Sequence, residues 1–247
     1  MTNSPGTTWN EAGAPAPVRR VTLADQIAEQ IIERIMRLGL RPGDEIPSEG
    51  ELARQFGANR LAVREAIRTL VAREILASSQ GRPARVTIPS SAVLRQTLEF
   101  RLHQQSLDLG ELVESRRVIE GELVRQGARR VAAGEASAEP ARLLLEEMAG
   151  AQHDAERFVA LDVAFHHAVA ETAGNRLLSL ILESLEGVLL ASRRASFEGR
   201  SRAGLSQGTT LLAHAHILNA VAAGDPEAAG AAMADHLSDT ARDLNTP

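Results

Sequence analysis

The sequence predicts a mainly α-helical protein in which three helices and a two-stranded hairpin precede an all-helical bundle of six or seven helices. Three observations carry this. Hydrophobic residues make up 44% of the chain while aromatics are only 2% and Tyr is absent, so Ala and Leu must fill the cores, which favours helices. Apolar residues recur at spacings of three and four along most of the chain, the period of a helix with one buried face. Short β-prone runs stand out in one place, on either side of Gly81, Arg82 and Pro83. The length of 247 residues suits two modest domains, since one core usually serves about 100 to 200 residues.

Residues 1–18, "MTNSPGTTWNEAGAPAPV", are rich in Pro, Gly, Thr and Asn without a period and are expected to form a disordered tail. In "TLADQIAEQIIERIMRLGL", Leu23, Ile27, Ile31, Ile35 and Leu38 mark a first amphipathic helix with Thr22 as its N-cap. Pro42, Gly43 and Pro47 punctuate a turn. Ser48 followed by Glu51 is a capping box for a short helix that stops at Gly57. The next helix, "RLAVREAIRTLVARE", is expected to bury Leu61 or Ala62, Ala66, Ile67 and Leu70, leaving Arg60, Arg64 and Arg68 on the other side. With the hairpin after it, residues 19–89 read as a winged helix-turn-helix. Residues 92–243 read as the bundle, with breaks at Gly110, Gly134 to Pro140, Gly150, Gly174, Gly199 to Gly208, and Gly224 with Pro226.

Charge separates the two parts. Residues 19–89 hold 12 Arg and 9 acids, whereas the chain from residue 90 holds 15 Arg and 22 acids. The positive part is the one with the winged-helix pattern, which points to nucleic acid as its partner. Recognition helices enter the major groove by their N-terminal residues. Arg60 and Arg64 stand there, and a guanidinium matches the two acceptors of guanine better than an ammonium does. There is no Cys, which excludes disulfides, thiolate nucleophiles and Cys-ligated metals. No run approaches the roughly 18 apolar residues of a membrane span, and the start does not read as a signal peptide; a soluble, cytoplasmic protein is expected.

The stretch "LGLRPGDEIPSEGELARQFGANRLAVREAIRTLVAREIL" resembles the GntR family of bacterial transcription regulators. The resemblance implies DNA contacts from Arg60 and Arg64, and from wing residues Gly81 and Arg82 in the adjacent minor groove. Three positions depart from the family pattern. Gly50 stands where an Arg usually contacts DNA. Asn59 replaces a common Ser but caps helices equally well. Glu74 replaces a Gly, so either a left-handed non-Gly residue costs on the order of 1 kcal/mol or the turn is built differently.

In the bundle, "LDVAFHHAVAE" places Asp162 and His166 four apart on a helix whose other inward positions are Leu161, Phe165 and Val169. Such a pair binds a metal, serves catalysis, or only shares a hydrogen bond. Two further inward imidazoles decide the reading: His214 shares a face with Leu211, Leu218 and Val221, and His236 sits beside Met233 and Leu237. Three imidazoles and a carboxylate buried without a shared partner would be costly. A divalent metal removes that cost, and this donor set suits Zn, Ni, Mn or Fe. His167 and His216 point away. Arg116, flanked by Leu112, Val113, Ile119 and Leu123, is a cation on an apolar stripe, fit for a salt bridge to Glu120, for an anionic ligand, or for both.

The segments "ESRRVIEGELVRQGARRVA", "LDVAFHHAVAETAGNRLL" and "HILNAVAAGDPEAAGAAMADHL" resemble the FCD effector domain of the FadR-like branch. That resemblance implies metal ligation by Asp162, His166, His214 and His236, and a small carboxylate effector held by the metal and Arg116, with Asn175 nearby. The expectation is a homodimeric regulator, a repressor, that binds a palindromic double-stranded DNA operator and senses a small organic acid through a divalent metal. Two rivals remain: a structural metal in a domain that only dimerises, and a metal-dependent enzyme. Against the enzyme stand the absence of HExxH, of a phosphate-binding Gly loop, and of an evident general base beside the ligands.

Overall fold

The computed structural model of the chain describes residues 22–78, 82–104, 109–202 and 206–244. The predicted tail and Gly81 lie outside the described residues. The chain divides between Pro89 and Ser90 into two compact units.

In the first unit, α1 (Leu23–Leu38) begins with a capping box, because Thr22 Oγ1 accepts from Asp25 N–H and the Asp25 carboxylate accepts from Thr22 N–H. That satisfies two otherwise orphaned donors. Ser48 and Glu51 do the same for α2 (Glu49–Phe56), as expected, and Gly57 closes it in the left-handed region at φ 60°. Asn59 caps α3 (Arg60–Ala72), accepting from Ala62 N–H at 2.8 Å. The wing is a short antiparallel pair, β1 (Leu76–Ala77) and β2 (Arg85–Val86), with Leu76 opposite Val86. Ile27, Ile31, Leu52, Val63, Ala66 and Leu70 form the core beneath it.

Two expectations are corrected or resolved here. Leu61 is 67% exposed while Val63 is fully buried, because the Asn59 cap sets a register in which residues 63, 66, 67 and 70 face inward. Glu74 adopts the left-handed conformation, with φ 54°, so the turn keeps the backbone that a Gly would favour. It is held there by Ile75 N–H donating to Leu70 O at 2.9 Å and by Thr87 Oγ1 donating to the Glu74 carbonyl.

The second unit contains α4 (Ser91–His103), α5 (Leu109–Ala132), α6 (Glu139–Ala149), α7 (Ala155–Glu171), α8 (Arg176–Arg202), α9 (Gly208–Ala222) and α10 (Pro226–Leu244). The expected break at Gly110 falls at the start of α5, and that over Gly199 to Gly208 falls between Arg202 and Gly208; Gly199 itself lies inside α8, since one helical Gly costs only about 1 kcal/mol. The main core joins α5, α7, α9 and α10 through residues such as Val124, Phe165, Ile217 and Met233. Gly127 lets α5 approach the end of α7, where an added Cβ would meet Thr172 Oγ1 at 2.0 Å. No helix among the described residues is long and apolar enough to cross a membrane.

Candidate metal centre and its cavity

Asp162 and His166 stand one turn apart on α7, and α9 and α10, packed on each other and on α5, share a core with α7 that brings His214 and His236 to the same point. One donor atom from each of the four lies within 4.8 Å of all the others. His214 Nε2 and His236 Nε2 are each 3.2 Å from His166 Nε2. Asp162 Oδ1 is 3.1 Å from His214 Nε2 and 4.0 Å from His166 Nε2. An ion about 2.0 to 2.2 Å from its N and O donors sets neighbouring donors roughly 3 Å apart and opposed ones roughly 4 Å apart, so the quartet fits one ion. His214 is buried and His216 exposed.

A second layer fixes the donors. Glu120 on α5 is buried and accepts from Arg116 Nε at 2.6 Å with one oxygen. Its other oxygen is 2.5 Å from His166 Nδ1. An ionised carboxylate there holds the proton on Nδ1 and turns the Nε2 lone pair toward the centre, the arrangement that orients metal-bound histidines. Burial alone would raise the Glu120 pKa, but Arg116, then His166, and then Arg193 outweigh it and hold the carboxyl well below its usual range. Burial, then the neighbouring His166 and Arg193, pushes His214 well below the usual histidine value. Burial and the neighbouring His214 and His166 do the same to His236. Both rings are therefore neutral, the form that ligates metals. His214 Nδ1 is buried without a well-formed hydrogen bond, although the Thr210 carbonyl one turn back favours a proton there. Asp162 offers Oδ1 to the centre and pairs through Oδ2 with Arg193 Nη1. Burial drives the Arg193 pKa downward, but a guanidinium does not lose its proton in proteins. The chemistry of the donor set thus fits a divalent ion.

A cavity of about 450 Å³ opens beside the quartet, with Asp162, His236, Arg116 and Arg193 in its lining. That volume falls in the range of small-molecule sites. Arg116 makes the salt bridge foreseen for it, Nε pairing with Glu120, while its Nη2 is buried with no hydrogen-bond partner and the residue lines the cavity. Asn175 is not brought to this cavity. It caps α8, its Oδ1 accepting from Leu178 N–H at 3.2 Å, while its amide reaches Gln126. Sequence reasoning missed Glu120 as the partner of His166. It also missed Arg193, which is buried while its sequence neighbour Arg194 is exposed. The available signal for Glu120 was its four-residue spacing from Arg116; for Arg193 only the register of α8 separates it from Arg194.

Residues 23–86 match the bacterial regulatory proteins of the gntR family, and residues 111–239 match the FCD domain. The HTH-type transcriptional regulator LutR of Bacillus subtilis (strain 168) is 32% identical over 203 residues, covering 81% of this chain and 90% of that protein. The chain belongs to the GntR family. The HTH-type transcriptional repressor NanR of Citrobacter rodentium is 28% identical over 232 residues, covering 90% of this chain and 85% of that protein. A solved Streptococcus agalactiae GntR structure superposes with a TM-score of 0.60 at 22% identity, over 89% of this chain and 99% of that one. This shared fold agrees with the helical architecture described above. As a GntR regulator with an FCD domain, the protein is a DNA-binding transcription regulator and not an enzyme.

In the GntR unit, Arg60, Arg64 and Arg68 lie one turn apart on α3 and are all exposed, as is Arg82 of the wing. Arg64 is held by Glu49 of α2, with Nη2 to Oε2 at 3.0 Å and Nε to Oε2 at 3.1 Å. Arg68 pairs with Glu65 at 2.7 Å. At Gly50, where the family pattern has Arg, the Arg60 guanidinium lies across the space a side chain would take, Nη2 being 3.5 Å from an added Cβ.

Proposed function

We propose that this GntR regulator represses transcription as a homodimer on a palindromic operator, and that a small carboxylate bound beside a divalent metal changes its DNA affinity. Asp162, His166, His214 and His236 would hold the ion. The ion would supply a Lewis acid for a carboxylate oxygen. Arg116 and Arg193 supply guanidiniums for the same anion, and Glu120 keeps both Arg116 and His166 oriented. Arg60, Arg64 and Arg68, with Gly81 and Arg82 of the wing, are the proposed DNA contacts. The names of the relatives support the regulatory role, and the repressor name of NanR supports its sign.

One observation carries the sensing half: Arg116, whose Nη2 is buried with no hydrogen-bond partner, lines a cavity that also touches two of the four proposed ligands. A purely structural metal in a dimerising domain would need neither the cavity nor the unsatisfied donor, which costs about 1 to 3 kcal/mol. The coupling is one of linkage: an acid that binds one arrangement of the dimer better shifts the population toward it, and with it the spacing of paired recognition helices.

The test joins both halves. Fluorescence anisotropy on DNA from the promoter region beside this gene should show binding that falls when metal and a small carboxylate are added together. His214→Ala should lower metal content and abolish that response without changing DNA binding in the absence of the acid. Arg64→Ala should weaken DNA binding by about 1 to 3 kcal/mol if it reads a base. DNA binding insensitive to every acid tried in metal-loaded protein would sink the sensing half, and unchanged binding in Arg64→Ala the proposed groove contact.

A further inference from the structure

We infer that the acid this cavity takes is a short dicarboxylate, with one carboxylate at the metal end and the second at Arg200. The inference rests on the reading that the cavity binds an organic anion beside a divalent ion, and two independent observations carry it further.

The first is charge. Among the described residues, the ionised side chains lining the cavity are Arg116, Arg193, Arg200, Asp162 and Asp239, and Glu120 stands directly behind Arg116. Arg193 pairs with Asp162 and Arg116 with Glu120, so the buried charges at the metal end cancel in pairs, while Arg200 is half-buried and Asp239 exposed. The imidazoles are neutral when they ligate a metal, so the double charge of the ion is left over. Charge without compensation is costly among buried groups. A monocarboxylate cancels half of it, and a dianion cancels it all.

The second is where the guanidiniums sit. Arg193 meets Asp162, and Arg116 meets Glu120, so both belong to the metal end. Arg200 is seven residues further along α8, two turns, which is a rise of about 10 Å. Its Nη2 donates to the Ser206 carbonyl at 3.2 Å and to Thr209 Oγ1, fixing it at the start of α9 while it lines the cavity. The cavity thus has two cationic poles, with the rings of Phe158 and Phe197 in the wall and the polar ends of Gln207 and Thr210 alongside. A methylene chain suits the rings, and a carboxylate at each end suits the poles. A guanidinium held by two hydrogen bonds is already oriented, so little entropy is lost when it takes an anion.

Isothermal titration calorimetry on full-length, metal-loaded protein tests this, with acetate and butyrate set against succinate and glutarate. The expected result is that a dicarboxylate binds more tightly than butyrate by about tenfold or more, the worth of one added charge-assisted contact. Arg200→Gln should remove that advantage and leave butyrate affinity where it was, while Arg200→Lys, which keeps the charge, should retain part of it. Equal affinities for mono- and dicarboxylates in the native protein would overturn the dicarboxylate assignment and leave the sensor reading standing, as would an advantage that survives Arg200→Gln. No binding heat from any of the four acids, with metal content and helicity verified, would overturn both.

Discussion

Glu120→Gln is the most informative single change, because Glu120 links a buried cation to a proposed metal ligand. Glu120 and Arg116 side chains are each 2% exposed. With charge centres about 4 Å apart, their attraction is about 4 kcal/mol at an effective dielectric near 20. Desolvation of two ions offsets much of that, but removing one partner leaves the other charged and buried, at a cost of about 3 to 5 kcal/mol. A Gln oxygen still accepts from His166 Nδ1, yet its NH2 then turns toward Arg116 Nε, donor against donor. Weaker orientation of His166 should cost a further 10- to 100-fold in metal affinity, the usual effect of losing such a partner. Urea unfolding of chelated protein would read the first effect, and competition with a chromophoric chelator the second. Stability within about 1 kcal/mol of native and unchanged metal affinity would refute the account of Glu120 as the link between α5 and the centre.

The metal-free protein should lose stability as pH falls. His214 and His236 have folded pKa values well below the usual one, so their contribution is complete above the unfolded value near 6.5 and declines below it, as the unfolded chain takes up protons that the fold refuses. Each group then removes about 1.4 kcal/mol per pH unit, and Glu120, also depressed, adds a loss beginning near pH 4.3. Urea unfolding in a chelator at about pH 7.5 and 5.5 should differ by about 2 to 3 kcal/mol; a flat profile would contradict the burial of these rings. Glu74→Gly should stabilise the winged-helix unit by about 0.5 to 1 kcal/mol, since relief of the left-handed strain exceeds the added entropy of Gly. Thermal unfolding would show it as a higher midpoint, and a lower one would mean that the Glu74 side chain does more than its backbone.

How far the sequence could be read differs between the two units. The first is local: Thr22, Ser48 and Asn59 are caps whose partners lie three residues away, so short-range chemistry announces the helices. Even there, of the two candidates Leu61 and Ala62 only Ala62 packs against the core, and Val63, outside the expected set, is fully buried, because several residues within one turn are apolar and only packing separates them. The four proposed ligands were legible because their helices carry a clear inward face. The breaks expected at Gly110 and over Gly199 to Gly208 do separate helices, but each is shifted by a few residues, as a Gly within a helix is cheap enough for packing to override.

By itself the sequence determined the order of elements, the positive charge of the DNA-binding part and which imidazoles turn inward, because periodicity and capping act over a few residues. Tertiary structure alone decided that Glu120 grips both Arg116 and His166, that Arg193 rather than Arg194 faces the cavity, and that Asn175 caps a helix instead of lining it. Those outcomes depend on the distance and rotation between helices far apart in the chain, which no spacing within one helix encodes.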